Sequence, residues 1–130
     1  MANQLYAQGA AHILGKTTKV DLVLDAVKAL FYNSTFNNAN EFVSDLTVAN
    51  IVARSGALGG KTVTNGTFDA NDITFAAVTG AAFTHVLLYK DSGAGDTTSP
   101  LLANFDIPSF TPTGADITVV WNTSGLFSIA

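Results

Sequence analysis

The chain has 130 residues, of which 48% are hydrophobic and only 12% charged, about half the charged fraction usual in soluble domains. Six Lys and Arg stand against ten Asp and Glu, a net charge of −4, which argues against nucleic-acid binding through a basic stripe and against an anionic membrane surface. Cysteine is absent, and with it disulfides, thiolate nucleophiles, Cys-ligated zinc and iron–sulfur clusters.

A chain of this length is expected to form one domain, residues 1–130, burying about two thirds of its unfolded surface. Met1 to Val20 lacks the basic flank and long apolar centre of a secretory signal, since Gln4, Gln8, Gly9 and His12 interrupt it. No apolar run approaches the roughly 18 residues of a spanning helix. The matches to Asn-x-Ser/Thr at Asn33, Asn65 and Asn122 read as turn chemistry.

Tyr6, Ala10, Ile13 and Leu14 fall at i, i+4, i+7 and i+8, with Asn3 placed to cap and Gly15 to stop, so the spacing predicts a short amphipathic helix over about 3–14. Val20 to Leu24 and Ala26 to Tyr32 read as strand. In the second of these Val27, Ala29 and Phe31 share one face, and Lys28, Leu30 and Tyr32 the other. Asn33 to Asn40 is a polar loop. Asn38 with Glu41 three residues on, then Phe42 and Leu46, suggests one short capped helical turn.

From Ala49 onward short apolar runs alternate with Gly, Asn and Asp clusters, the signature of an all-β sandwich or barrel. Expected strands are Ile51 to Arg54, Lys61 to Asn65, Ile73 to Val78, Phe83 to Lys90, Leu101 to Asp106, Asp116 to Trp121 and Leu126 to Ile129. Asn65-Gly66 is a strong two-residue turn signal. Pro108 and Pro112 bracket Phe110, which breaks a central strand there and puts Phe110 on a loop or edge. The expected class is mainly β, an antiparallel β-sandwich of jelly-roll or Ig-like kind with a short N-terminal α-helix and one short helical turn.

No catalytic constellation stands out. A Gly-x-Ser-x-Gly elbow is missing, and Gly93-Ala94-Gly95 is a flexible turn. His85 lies in an apolar strand and reads as a structural histidine held by hydrogen bonds, while His12 on the helix suits a surface or interface position. Asp69-Ala70-Asn71-Asp72 has the oxygen-rich side chains of a calcium loop but neither its sixth-position Gly nor its distant Glu, and reads as an Asx-type turn. Asp91 and Asp96 flank another such turn. Gly56 to Lys61 lacks the phosphate-loop pattern. No metal, cofactor, catalytic residue or small-molecule substrate is expected. The nine Phe and Trp121 read mostly as core, with some apolar surface left for partners.

Several runs carry a resemblance: Ala2 to Tyr6 with Gly9 and Ile13-Leu14, Asn38 to Leu46, Ala53 to Gly80, Leu88 to Gly93, Thr98 to Ala103, and Gly114 to Phe127. In their order and spacing they resemble a group of small tailed-bacteriophage virion proteins, over nearly the whole chain. The resemblance implies a single β-sandwich domain with a short N-terminal helix, a structural place in the virion and no catalytic residues. The chain departs from it where members carry a Trp and then Asp-Thr-Ile-Lys-Val-Ala-Leu; here Val20-Asp21-Leu22 and Ala26 to Leu30 stand in those places.

The first expectation is therefore a capsid decoration or head accessory protein, assembled in the host cytoplasm, binding phage capsid proteins and neighbouring copies as a homo-oligomer. The second is a tail or adsorption protein binding a receptor or glycan, favoured if Tyr32 or Phe36 stands exposed among Asn33, Asn37 and Asn38. A third, a small glycan-acting enzyme, requires two carboxylates converging in a cleft. The candidate interface residues are Leu5, Tyr6, Ile13, Tyr32, Phe36 and Phe110.

Overall fold

In the computed structural model of the chain, residues 3–16 and 19–128 are described. The fold is mainly β, 39% strand against 13% helix. β1 (Asn3–Leu5) leads into α1 (Ala7–Ile13). Then come β2 (Val27–Tyr32), β3 (Ile51–Ala57), β4 (Thr62–Thr64), β5 (Thr67–Asp69), β6 (Ile73–Phe75), β7 (Phe83–Lys90), β8 (Leu101–Phe110), β9 (Ile117–Val119) and β10 (Phe127–Ser128). The main sheet has the order β1-β8-β7-β2-β3, and two small sheets, β10-β5-β4 and β6-β9, accompany it. Every pairing is antiparallel.

The alternation of β2 sorts its side chains into two cores. Val27, Ala29 and Phe31 enter one, with Val86, Phe105, Phe68, Phe75, Trp121 and Leu126. Leu30 and Tyr32 enter the other, with Tyr6, Val43, Leu46, Leu87, Tyr89 and Leu101. Rings dominate the first, where Phe31 stacks between Phe75 and Phe83 at centroid distances of 3.8 and 4.0 Å. Lys28, placed on the second face by sequence, sits at its margin and pairs with Asp91.

The N-terminal helix is shorter than its spacing predicts, and residues 3–5 form a strand instead. Gln4 pairs with Asn104 and Leu5 with Ala103 on β8, a long-range partnership that overrides local helix spacing. Asn3, expected next to the helix, stands in β1, and α1 begins at Ala7; the N–H of Ala7 donates to Asn38 Oδ1 at 3.0 Å. Asn38, expected to cap a helix of its own, serves α1 from 31 residues away. The buried face also differs from the expected stripe, because Gly9 and His12 are the buried helical residues while Leu14 is exposed. A Cβ on Gly9 would overlap the carbonyl oxygen of Leu101 and stand 2.9 Å from Leu102 Cα. The missing side chain is what lets α1 lie against the backbone of β8.

Val20 to Leu24 is a turn and not a strand. Asp21 Oδ1 accepts from the N–H groups of Val23 and Leu24, and Asp25 Oδ2 accepts from that of Asp21, so side-chain oxygens replace a ladder. The expected helical turn near Phe42 is a 3-10 turn at Val43–Asp45, with Asp45 Oδ2 accepting from the N–H groups of Glu41 and Phe42. Two further 3-10 turns occupy Val48–Asn50 and Asp96–Thr98.

β8 runs through Pro108, contrary to the expected break. Between His85–Asp106 and Phe83–Phe110 the register shifts, so Pro108 lies in a bulge, beyond the stretch of β8 that β1 covers, where no ladder N–H is required of it. Phe110 is accordingly an edge-strand residue. β6 stops at Phe75 and not Val78, since Ala77 has φ 49° and donates its N–H to Asp116. β7 has the predicted bounds. Asn65 (φ 50°) and Gly66 (φ 80°) make the expected turn, joining β4 to a strand, β5, that the sequence pattern did not single out. Of the expected last strand, Phe127–Ser128 is present and Ile129 lies outside the described residues.

Gly9→Ala is expected to destabilise the fold by about 1–3 kcal/mol through overpacking, despite the roughly 1 kcal/mol that Ala gains over Gly in a helix. Urea unfolding checks it, and a neutral result would mean that α1 is not seated on β8.

Candidate functional site

The six candidate interface residues do not form one surface. Tyr6 and Tyr32 are 1% and 5% exposed, and Tyr32 Oη accepts from the N–H of Thr47 at 3.1 Å. Both are therefore corrected from interface to core, where burial and the neighbouring Tyr32 push the Tyr6 hydroxyl well above the usual phenol range. Leu5 and Ile13 are half-buried against the first core. Phe36 is half-buried with its ring 4.8 Å from that of Tyr6. Only Phe110, 45% exposed, is open to a partner.

His12 is also corrected: it is 1% exposed, not a surface residue. Its Nε2 lies 2.9 Å from Glu41 Oε1, which also accepts from Lys16 Nζ at 2.7 Å. Hydrogen bonds from Lys16 and His12 hold the Glu41 carboxyl below the usual carboxylate range. Nδ1 of His12 is buried without a partner, and the ring packs 5.7 Å from Phe42. Helix spacing gave no sign of this, because a polar ring on the docking face depends on a carboxylate 29 residues downstream.

His85 has the structural setting its strand suggests. Nδ1 stands 3.0 Å from Asn104 Oδ1 and 2.8 Å from Asp106 Oδ1, and Asn104 Nδ2 donates to that same Asp106 oxygen. This trio ties β7 to β8.

The turn between β7 and β8 is anchored by charge. Arg54 grips Asp96 with two bonds of 2.7 and 2.8 Å and lies over the ring of Tyr89, the two-pronged geometry that makes such pairs strong. Lys28 Nζ donates to Asp91 at 2.6 Å. Hydrogen bonds from Arg54 and Lys28 respectively hold Asp96 and Asp91 below their ordinary range. The Asp69 to Asp72 segment is likewise structural: Asp72 Oδ1 accepts from the N–H of Trp121 at 2.9 Å, and the carbonyl of Asn71 accepts from the Trp121 indole at 3.1 Å. Among the described residues no group of three or more His, Cys, Asp or Glu could hold a metal.

Two grooves stand out among the described residues, the first uncharged and the second mixed, since Lys19 and Asp21 line it beside apolar side chains. The larger in aromatic content, about 460 Å³, opens between the inner face of the main sheet (Phe31, Phe83, Phe105) and the segment Ile117 to Asn122, with Phe110 at its margin. No charged residue lines it, in a chain of net charge −4. The other, about 480 Å³, lies between the end of α1 (Ile13, Leu14), residues 19–22 and Val63. Exposed Val120 is part of the first groove's wall, and exposed Leu14 and Val63 are part of the second's. Neither groove is lined by two carboxylates. Their walls come from residues far apart in sequence, which no local pattern brings together.

Glu41→Ala strips His12 of its partner and is expected to cost about 1–3 kcal/mol, the penalty of an unsatisfied buried group, measurable by urea unfolding. Because Asp91, Asp96 and Glu41 have lowered folded-state pKa values, their stabilisation is present above the unfolded carboxylate range and is lost as pH falls through the folded values. The thermal midpoint is expected to stay level from neutral pH to about 5 and to drop below about 4. Asp96→Asn is expected to make that drop shallower, and an unchanged slope would remove the Arg54 pair as its source.

No family model matches this chain, and no curated protein matches it.

Proposed function

We propose that the chain is a non-enzymatic structural subunit of a bacteriophage particle, a decoration or head accessory protein that binds the capsid lattice and its own neighbouring copies. The observation that carries this reading is the pair of separate grooves, whose walls include exposed Val120 in one and exposed Leu14 and Val63 in the other, on a surface with few charges to oppose association. A lattice subunit contacts more than one neighbour, and two such grooves suit that need. The resemblance in order and spacing to small tailed-phage proteins supports the same reading. In finer architecture, the two small sheets cover one face of the main sheet as the second layer of a β-sandwich, of jelly-roll or Ig-like kind.

A receptor- or glycan-binding tail protein is less well supported. It called for an exposed aromatic among the loop asparagines, but Tyr32 is buried and Phe36 is packed on Tyr6. Mass spectrometry of purified particles is expected to find the chain as a stoichiometric component, and cryo-electron microscopy to place it on the capsid exterior. Absence from particles would overturn the proposal, and a position confined to the tail would replace it with the receptor-binding role.

A further inference from the structure

We propose that the aromatic groove is a binding site for a small, neutral, ring-bearing apolar molecule, held between the main sheet and the segment Ile117 to Asn122. Its floor is part of the first core, since Phe31, Phe83, Val86, Phe105, Trp121 and Leu126 line the groove and belong to that cluster. Here the two sides of the core stand apart, and about 460 Å³ opens between them. That volume lies within the range of pockets that enclose small ligands, roughly 300–1,000 Å³. Walls of this kind gain dispersion contacts when an apolar guest enters, and engineered apolar cavities of only about 150 Å³ stay dry and take up benzene or xenon.

The depth of the groove selects a small molecule over a polypeptide face. Phe31, Phe83, Phe105 and Leu126 are 0, 1, 3 and 2% exposed. A strand or helix laid across the mouth meets Phe110 and Val120, which are 45 and 73% exposed, and leaves that floor untouched. A guest that reaches the floor is a compact group entering past the rim. The rim stays available to neighbouring subunits, so the ligand site goes beyond the proposed function and does not rest on it.

The lining also sets the chemistry of the guest. It holds no charged residue, so a carboxylate or ammonium entering it would lose its water without gaining a partner. Its polar side chains are already engaged: Thr118 Oγ1 and Thr74 Oγ1 share a hydrogen bond of 2.9 Å, the Trp121 indole donates to the carbonyl of Asn71, and Asn122 Oδ1 accepts from the N–H of Ser124. What the lining leaves for a ligand is the amide N–H group of exposed Asn122, which suits one acceptor at the outer end of an otherwise apolar molecule. Rings are favoured because Phe83, Phe105 and Trp121 offer aromatic surfaces for offset or edge-to-face packing.

The probe is N-phenyl-1-naphthylamine, a neutral fluorophore that brightens in apolar surroundings, and its charged counterpart is 8-anilino-1-naphthalenesulfonate, the same ring system bearing a sulfonate. Titration of the full chain into the neutral probe, up to about 0.5 mM, is expected to show saturable binding with a Kd of roughly 10–200 μM, the affinity that drug-sized ligands reach per atom. The sulfonate is expected to bind at least about tenfold more weakly. Ile107→Trp, which fills the groove from a half-buried position on β8, is expected to weaken the neutral probe at least about tenfold, and Leu14→Lys, in the other groove, to leave it unchanged. Phe110→Lys at the mouth is expected to narrow the difference between the two probes by favouring the sulfonate. Thermal unfolding verifies that the variants are folded, and Phe110→Lys alone locates the site if Ile107→Trp is not. No saturable binding, equal affinity for the two probes, or loss of binding in Leu14→Lys would each overturn the proposal. So would probe fluorescence that falls as the chain self-associates, because a neighbouring copy then fills the groove. A chain that binds the probe but is absent from particles would keep this site and lose its virion role; one present on particles without binding would do the reverse.

Discussion

Sealing both faces of β2 from water is the constraint on which the rest of the structure depends. An antiparallel sheet ordinarily needs cover on one face only, but Val27, Ala29 and Phe31 point to one side of β2 and Leu30 and Tyr32 to the other, all of them buried. The chain must therefore supply two covers. On one side these are the small sheets with Phe68, Phe75, Trp121 and Leu126. On the other they are Tyr6 and the irregular segment bearing Val43 and Leu46. Because β2 is placed between β3 and β7, its own backbone is paired on both edges. Where its register slips between Lys28 and Leu30, Ser55 Oγ accepts the N–H of Ala29.

Covering two faces with so little regular structure shifts backbone satisfaction onto side chains. Asn38 caps α1, Asp45 closes the turn after Glu41, Asp72 holds Trp121 and Asp116 holds Ala77. Buried or turn amides left unpaired would each cost about 1–3 kcal/mol, so these oxygens are structural parts. Much of the acidic complement is spent in this way or in pairs with Lys28, Arg54 and Lys16. The low charge of the chain and its lightly defended surface are two sides of one allocation.

Legibility followed the range of the interaction. β7 was readable to the residue, and so was the two-sided pattern of β2, because period-two alternation is local and strong. The Asn65-Gly66 turn was readable for the same reason, since left-handed backbone selects those residues. The hydrogen-bonded setting expected of His85 in its apolar strand is present, in its contacts with Asn104 and Asp106. Tyr6, Tyr32 and His12 were misplaced at the surface because their burial depends on Phe36, Val43 and Glu41, which arrive from distant segments. Val20 to Leu24 failed differently: apolar composition suggested a strand, and two Asp side chains captured the amides a ladder would have used.

A mainly β chain, the faces of its central strand, the Asn65-Gly66 turn and a low content of charge were legible from the residues themselves, since each follows from local alternation, turn stereochemistry or composition. Only the meeting of distant segments set where α1 begins, which of its faces is buried, that Asn38 caps it, that β8 continues past Pro108, and that β9 lines an aromatic groove. Those outcomes depend on which backbone and side-chain groups meet across tens of residues. No local pattern encodes such a meeting, because each group finds its partner only after the sheet has placed both.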